Sequence, residues 1–426
     1  MTASLEDLDK PSDPSLDDEP PSQTGRGELL AVLRVRPFRD YTISRSAAGV
    51  ATSLLQALIL WQVFAISGSA LSLGIVGLVA FVAAFVSSLV GGVIVDAYDR
   101  RTILFAAQLT PFFASLVMLA SIASGRVTLE GVYILVFVTG VAAALEFPAR
   151  QAMLPDVVPR PLFTRALTVN SASSSLTSVT GPALGGLLIA TGGVGAAYIG
   201  HVALLAVALV SLIPLRLGHV RDRARPELRL LREGMRFVRD RPALLGAMTL
   251  DMFAVLFGGA RALLPVYAVD VLHADAVGYG ILSASMEAGT LVMALLLMLL
   301  PIPRRTGRLL LLAVAGFGLA TIIFGASAAL PLSVVAYGVV GMADQISMVM
   351  RQTMIQLSTP NALRGRVTGL SSIFISASNE LGALESGLVA AAFGAVFAVV
   401  SGGLACLVVV GLVAWRVPAL RRYTRS

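Results

Sequence analysis

The sequence predicts an all-α membrane protein: twelve transmembrane helices in two six-helix, pseudo-symmetric halves. Three observations carry that reading. The chain is 56% hydrophobic and only 13% charged. Its apolar residues gather into runs of about 20, the length that crosses roughly 30 Å of hydrocarbon at about 1.5 Å per helical residue. A stretch of the second half also repeats a stretch of the first at a fixed offset of 201 residues.

Apolar runs closed by charge, proline or glycine clusters place helices at 41–66, 70–95, 102–124, 129–149, 163–190 and 195–217. A second set falls at 243–269, 277–300, 308–328, 331–357, 367–391 and 393–415. In lipid every backbone polar group must be paired internally, so spans are helices or closed barrels, and the alternation of barrel strands is absent here. Residues 1–28 differ: Glu6, Asp7, Asp9, Asp13, Asp17, Asp18 and Glu19 stand among Pro and Ser, which reads as a disordered acidic tail. That segment lacks the basic start and apolar core of a secretory signal. The single cysteine, Cys406, permits no intramolecular disulfide.

The net charge of +7 is distributed by topology. Arg100 and Arg101, Arg150 and Arg160, Arg304, Arg305 and Arg308, then Arg364 and Arg366 fall in alternate loops, while the intervening loops hold little beyond Arg126. Positive loops mark the cytoplasmic side, so both termini are expected there, in a multi-pass protein of the plasma or inner membrane. The organisation that follows is a tail at 1–28, a six-helix bundle at 37–217, a basic cytoplasmic linker at 218–242, a second bundle at 243–416 and a tail at 417–426. The linker's arginines suit a headgroup-facing helix, and no nucleic-acid partner is expected. The bilayer is one partner, a small-molecule substrate and protons are the others, and the protein is expected to be a monomer.

The repeat is specific. Arg150, Gln151, Met153, Pro159, Leu162, Arg165, Ser171, Gly181 and Gly186 meet Arg351, Gln352, Met354, Pro360, Leu363, Arg366, Ser372, Gly382 and Gly387 without a gap. Parallel repeats of this kind build secondary transporters, with the substrate between the halves near the bilayer midplane.

Between the second and third expected spans lies "GGVIVDAYDRRTIL". Through Gly92, Asp96, Arg100 and Arg101 it resembles the Gly-x-x-x-Asp-Arg-x-Gly-Arg-Arg motif of the major facilitator superfamily, with Ala97 and Asp99 departing from it. "EFPARQAMLPDVVP", "NSASSSLTSVTGPALGG", "RGRVTGLSSIFISASNELG" and "DMFAVLFGGARALLPVYAVDVL" resemble the superfamily's branch of enterobactin and macrolide exporters, a likeness running over about residues 37–416. The resemblance implies the major facilitator fold. It also implies that Asp96 abuts the start of the eleventh helix after Pro360, oriented by Arg100, which reaches Glu146, so that Gly92, Asp96, Arg100, Arg101 and Glu146 form a cytoplasmic gate. "TGPALGG", with Gly181, Pro182, Gly185 and Gly186, resembles the antiporter motif of drug exporters; proline kinks the helix and the glycines admit a neighbouring backbone.

Chemistry is excluded as much as it is found. A phosphate-binding loop needs a lysine after its glycines, and the chain's one lysine is Lys10. His201, His219 and His273 are too scattered to hold a metal with one cysteine, and no Gly-x-Ser-x-Gly elbow occurs. The expectation is no enzyme, no cofactor, no metal, and an ion gradient as the energy source. Ionisable groups inside spans are costly unless they pair or line a wet cavity, which singles out Asp251, Arg261, Glu287, Asp344, Arg351, Glu380 and Glu385 as the proton and substrate pathway. All lie in the second half, whereas the first offers only Arg45 and Glu146 near span ends. Arg351 is expected to be buried and paired with a carboxylate of another span, and Arg150 to lie nearer water.

The function these observations favour is proton-coupled export of a small amphipathic molecule such as a siderophore, antibiotic or other secondary metabolite, by alternating access. An importer or lipid transporter on the same fold is the nearest competitor, and a non-transporting receptor or scaffold the next.

Overall fold

A computed structural model of the chain describes residues 32–97, 99–215, 228–299 and 305–424. The expected acidic tail and the first part of the linker lie outside the described residues, as do the side chains of Gly92, Asp96 and Arg100.

Five long helices make the first part: α1 (Arg36–Ser67), α2 (Ala70–Ala97), α3 (Arg100–Ala123), α4 (Leu129–Val157) and α5 (Phe163–Leu212). Pro37 opens α1 at a position where the missing N–H is no loss, and Gly68 closes it with φ 59°. Thr128 caps α4 by accepting from the Gly131 N–H at 3.2 Å. A short basic helix, α6 (Leu228–Arg239), leads into α7 (Pro242–Phe257), α8 (Ala276–Leu299), α9 (Thr306–Ala326), α10 (Leu330–Ser358), α11 (Asn361–Phe393) and α12 (Ala395–Arg416). The described residues contain no strand.

Among the described residues, ten helical stretches are long and apolar enough to cross a membrane. Two differences from the sequence expectation account for the remainder. The spans expected at 163–190 and 195–217 form one element of 50 residues, α5, which at about 1.5 Å per residue would run some 75 Å if straight. It is not straight. Gly193 takes φ 72° and ψ −175°, and a Cβ at Gly200 would stand 2.6 Å from Leu188 Cδ1, so the chain doubles back into a hairpin. The other difference is α11, where Ser376, Ser378, Asn379, Glu380, Glu385 and Ser386 dilute the apolar run. A further correction concerns the seventh span, expected to be continuous over 243–269. It breaks after α7 at Gly258 and Gly259, then proceeds as a 3₁₀ turn (Ala260–Leu263), one α turn (Leu264–Val266) and a π turn (Tyr267–Val271).

The repeat seen in sequence is geometric too. Gly394, at the junction of α11 and α12, has φ 90° and lies 201 residues after Gly193. Both turns need a left-handed φ, which only glycine adopts without strain. Close approaches repeat in the same way. A Cβ at Gly181 would meet Ser53 and Leu54 of α1, and one at Gly382 would meet Val255 and Leu256 of α7. A Cβ at Gly186 would stand 2.5 Å from Gly280 Cα of α8, and one at Gly387 2.5 Å from Gly74 Cα of α2. The first part therefore touches the second through two backbone-to-backbone seams, α5 on α8 and α2 on α11. Both seams lie near the ends where α2 and α8 begin.

The segment 417–424, expected as part of a cytoplasmic tail, packs on the second part. Leu420 is buried, and the Gly307 N–H donates to the Tyr423 carbonyl at 3.3 Å. The Tyr423 hydroxyl lies 2.8 Å from Ser358 Oγ.

Candidate functional site

The break in the seventh span places the first functional side chain. Arg261 leaves the 3₁₀ turn just beyond Gly258 and Gly259, where interrupted helices commonly present groups to a transport site. Its guanidinium pairs with Glu287 of α8 at 3.6 Å. The other terminal nitrogen donates to Gln56 Oε1 of α1 at 3.2 Å. Glu380 of α11 is within coulombic range of Arg261, and Asp344 of α10 within range of Glu287. Glu287 and Glu380, from two helices, thus lie near the Arg261 guanidinium, with Asp344 of a third helix beside Glu287. Tyr279 closes the group from above, donating its hydroxyl to the Ala57 carbonyl at 2.8 Å while its ring packs on Trp61.

A cavity of about 20 Å³ sits inside this cluster, with Gln56, Leu60 and Pro182 on one side and Arg261, Glu287 and Tyr337 on the other. It holds about one water and nothing larger. The contacts named between the two parts, Gln56–Arg261, Ala57–Tyr279, Trp61–Tyr279, Gly77–Ala383 and the glycine seams, lie from this cluster toward the end where α1 finishes. A wider recess of about 410 Å³ between α3 and α4 is lined by apolar residues and two threonines, apart from every charge named above.

Asp251 and Arg351 are elsewhere. They form a buried ion pair between α7 and α10, with side chains 7% and 6% exposed. Arg150, the repeat equivalent of Arg351, is buried as well, which corrects the expectation that it lies nearer water. The reason is length: α4 continues to Val157 rather than stopping near 149, and Met153, Leu154 and Val157 pack into a core with Phe38 and Tyr41. Arg150 Nε donates to Glu146 Oε1 at 2.6 Å one turn back, and Gln108 of α3 approaches the same oxygen at 3.4 Å. Arg101 donates to the Ile213 carbonyl at 2.7 Å and stacks over Phe105, tying the start of α3 to the end of α5. Glu385 sits beside Ser386, whose hydroxyl approaches it at 3.4 Å. Gly181, Pro182, Gly185 and Gly186 line the face of α5 toward α1 and α8, where Gly181 and Gly186 make the closest approaches.

Gln56, Tyr279 and Tyr337 were not singled out from the sequence. Gln56 had a signal: a neutral polar residue inside "ATSLLQALILW" is as conspicuous in an apolar run as a charge. The tyrosines had none, because a tyrosine in a span reads equally as core or as interface.

Residues 28–424 match the transmembrane secretion effector family. The enterobactin exporter EntS of Escherichia coli is 29% identical over 402 residues, covering 93% of this chain and 96% of the relative. The same exporter from Citrobacter koseri is 30% identical over 346 residues, covering 80% of this chain and 82% of the relative. Among solved structures, a bacterial homologue of the human lysosomal transporter Spinster, in an inward-facing and occupied conformation, superposes with a TM-score of 0.67 at 13% identity over 94% of this chain and 100% of that one. The D-xylose–proton symporter superposes with a TM-score of 0.66 at 14% identity, over 94% of this chain and 100% of its own. Fold, repeat and relatives agree: this multi-pass membrane protein belongs to the transmembrane secretion effector family of the major facilitator superfamily, a transporter of its enterobactin-exporter-like branch.

Proposed function

We propose that the protein exports a small amphipathic molecule from the cytoplasm across the inner membrane in exchange for protons. One observation carries this reading: at the meeting of the two parts Glu287 pairs with Arg261, Glu380 lies within range of the same guanidinium, and Asp344 lies within range of Glu287. Ionised together they leave two uncompensated negative charges at a membrane-embedded site, an arrangement eased by binding a proton. A proton taken up there changes how strongly Arg261 is held, and Arg261 in turn contacts Gln56 across the interface. Charge state and access are thereby joined through one side chain.

Direction and conformation follow the expected topology, with termini in the cytoplasm. The glycine seams then close the external end, and the site communicates with the cytoplasm, where cargo for export is loaded. The family supports export, since its curated members carry the name of enterobactin exporters. Fold alone does not set direction.

Everted vesicles test it. With an acid interior they accumulate the exported compound, with enterobactin the first to try and a macrolide the second, and collapsing the gradient abolishes accumulation. Accumulation indifferent to the gradient removes proton exchange, and loss of compound from preloaded vesicles under the same gradient identifies an importer.

A further inference from the structure

We propose that Arg45, supported by Ser174, is the recognition point for an anionic group on the transported molecule, a carboxylate, sulfonate or phosphate oxygen. Arg45, Arg150, Arg261 and Arg351 lie in described helical segments away from the segments' ends. Three have carboxylate partners, in Glu146, Glu287 and Asp251 respectively. Arg45 has none among the described residues. Among the described residues its hydrogen bond runs from Nη2 to Ser174 Oγ of α5 at 2.6 Å, and its buried Nε has no hydrogen-bond partner there. A guanidinium left in that state within a membrane is costly unless an anion or water completes it.

Its position says which anion. Arg45 and Gln56 are 11 residues apart, three helical turns, so they share one face of α1 within about 20°. Gln56 contacts Arg261 of the second part, so that face is the one turned toward the second part, and Arg45 lies about 16 Å along it, away from the closed end. The supporting surface is fixed. Ser46 Oγ lies 2.6 Å from Ser173 Oγ, and Ser175, Thr177 and Ser178 each bond a carbonyl of their own helix. Arg45 is thus held in place with donors to spare. A molecule entering between the halves meets this cation about 16 Å before it reaches the carboxylates around Arg261.

This inference rests on the reading of the protein as a transporter loaded between its halves, but its test is equilibrium binding and needs no proton gradient. Full-length protein in phosphatidylcholine nanodiscs is titrated with 8-anilinonaphthalene-1-sulfonate and with N-phenyl-1-naphthylamine, the same arene without the sulfonate, and affinity is read from thermal stabilisation. Wild type should prefer the sulfonate. Arg45→Ala should weaken the sulfonate at least tenfold and the neutral arene less than twofold, Arg45→Lys should recover most of the loss, and Ser174→Ala should cost about threefold. Equal loss for both probes, an unchanged sulfonate affinity in Arg45→Ala, or a wild type without preference overturns the assignment. So does loss of sulfonate binding in wild type when phosphatidylglycerol replaces phosphatidylcholine, because that outcome makes the site a lipid-headgroup site. A protein that passes this test and fails in everted vesicles loses the proton-exchange reading and keeps its anion site.

Discussion

Arg261 is held from both halves at once: Glu287 binds one of its terminal nitrogens and Gln56 accepts from the other. A hydrogen bond to a charged donor contributes on the order of 1 kcal/mol net at a half-exposed site, which is about a fivefold population ratio. Gln56→Ala should therefore shift the protein by roughly that factor toward the state open at the α1 C-terminal end. In a Cys406→Ser background, labelling of Ser283→Cys by an impermeant maleimide from that side should rise; an unchanged rate means the contact does not bias access.

Glu380 and Asp344 answer to a different measurement. Glu380→Gln should abolish gradient-driven accumulation while substrate counterflow persists, and Asp344→Asn should be the next most severe. Neutralising either removes a proton acceptor from the cluster around Arg261 without removing bulk. Wild-type dependence on pH in both variants excludes these carboxylates from coupling.

The Asp251–Arg351 pair is buried on both sides. Removing one partner strands a charge, at about 3 to 5 kcal/mol, whereas replacing both with apolar residues is often tolerated. Arg351→Ala should lower folded yield sharply, and Asp251→Leu with Arg351→Met should recover much of it in thermal unfolding. A double variant no better than the single would mean that the pair does more than neutralise itself.

Glycine seams make a symmetric prediction. Gly186→Ala and Gly387→Ala each place a methyl about where a Cα already is, 2.5 Å away, so each should wedge the two parts apart and reduce transport to a similar degree. Gly316→Ala in α9, with nothing within 4 Å of the added carbon, should be neutral or slightly stabilising through helix propensity. Unequal effects at Gly186 and Gly387 would show that the two seams do not act as equivalents.

Asp99 precedes α3 and makes no capping hydrogen bond, so Asp99→Asn should be mild. Asp96→Asn should lower transport several-fold at normal membrane insertion, in keeping with its place in the superfamily motif. Equal effects of the two substitutions, measured by transport per inserted protein, would reduce the cluster to a topology signal.

Span order was legible because hydropathy is a local property, and so was the repeat, because Gly181 and Gly186 keep the spacing of Gly382 and Gly387 and make matching close approaches. The break at Gly258 and Gly259 was not, since two glycines inside an apolar run also read as close helix packing. The fourth span, expected to close at 149, runs on through Pro148 and Pro155 to Val157, and that extension buries Arg150. The identity of partners escaped the sequence altogether. Asp251 and Arg351 are far apart in the chain and on different helices, and only packing brings them together. Arg261 was legible as an intramembrane charge, but its bond to Gln56 was not, because a glutamine does not titrate and was passed over.

The two seams are built from residues without side-chain torsions. When surfaces covered by long side chains meet, each buried chain loses rotamer freedom worth up to roughly 2 kcal/mol, and that loss must be recovered by tight contact. Gly74 on Gly387 and Gly186 on Gly280 have no such freedom to lose. Their contact energy is likewise confined to short range, because dispersion falls away within the first ångström of separation. Closing therefore carries little entropic penalty and opening meets little lingering adhesion, so the seal's two states stay close in free energy and its rate of exchange is left to the charges beneath it.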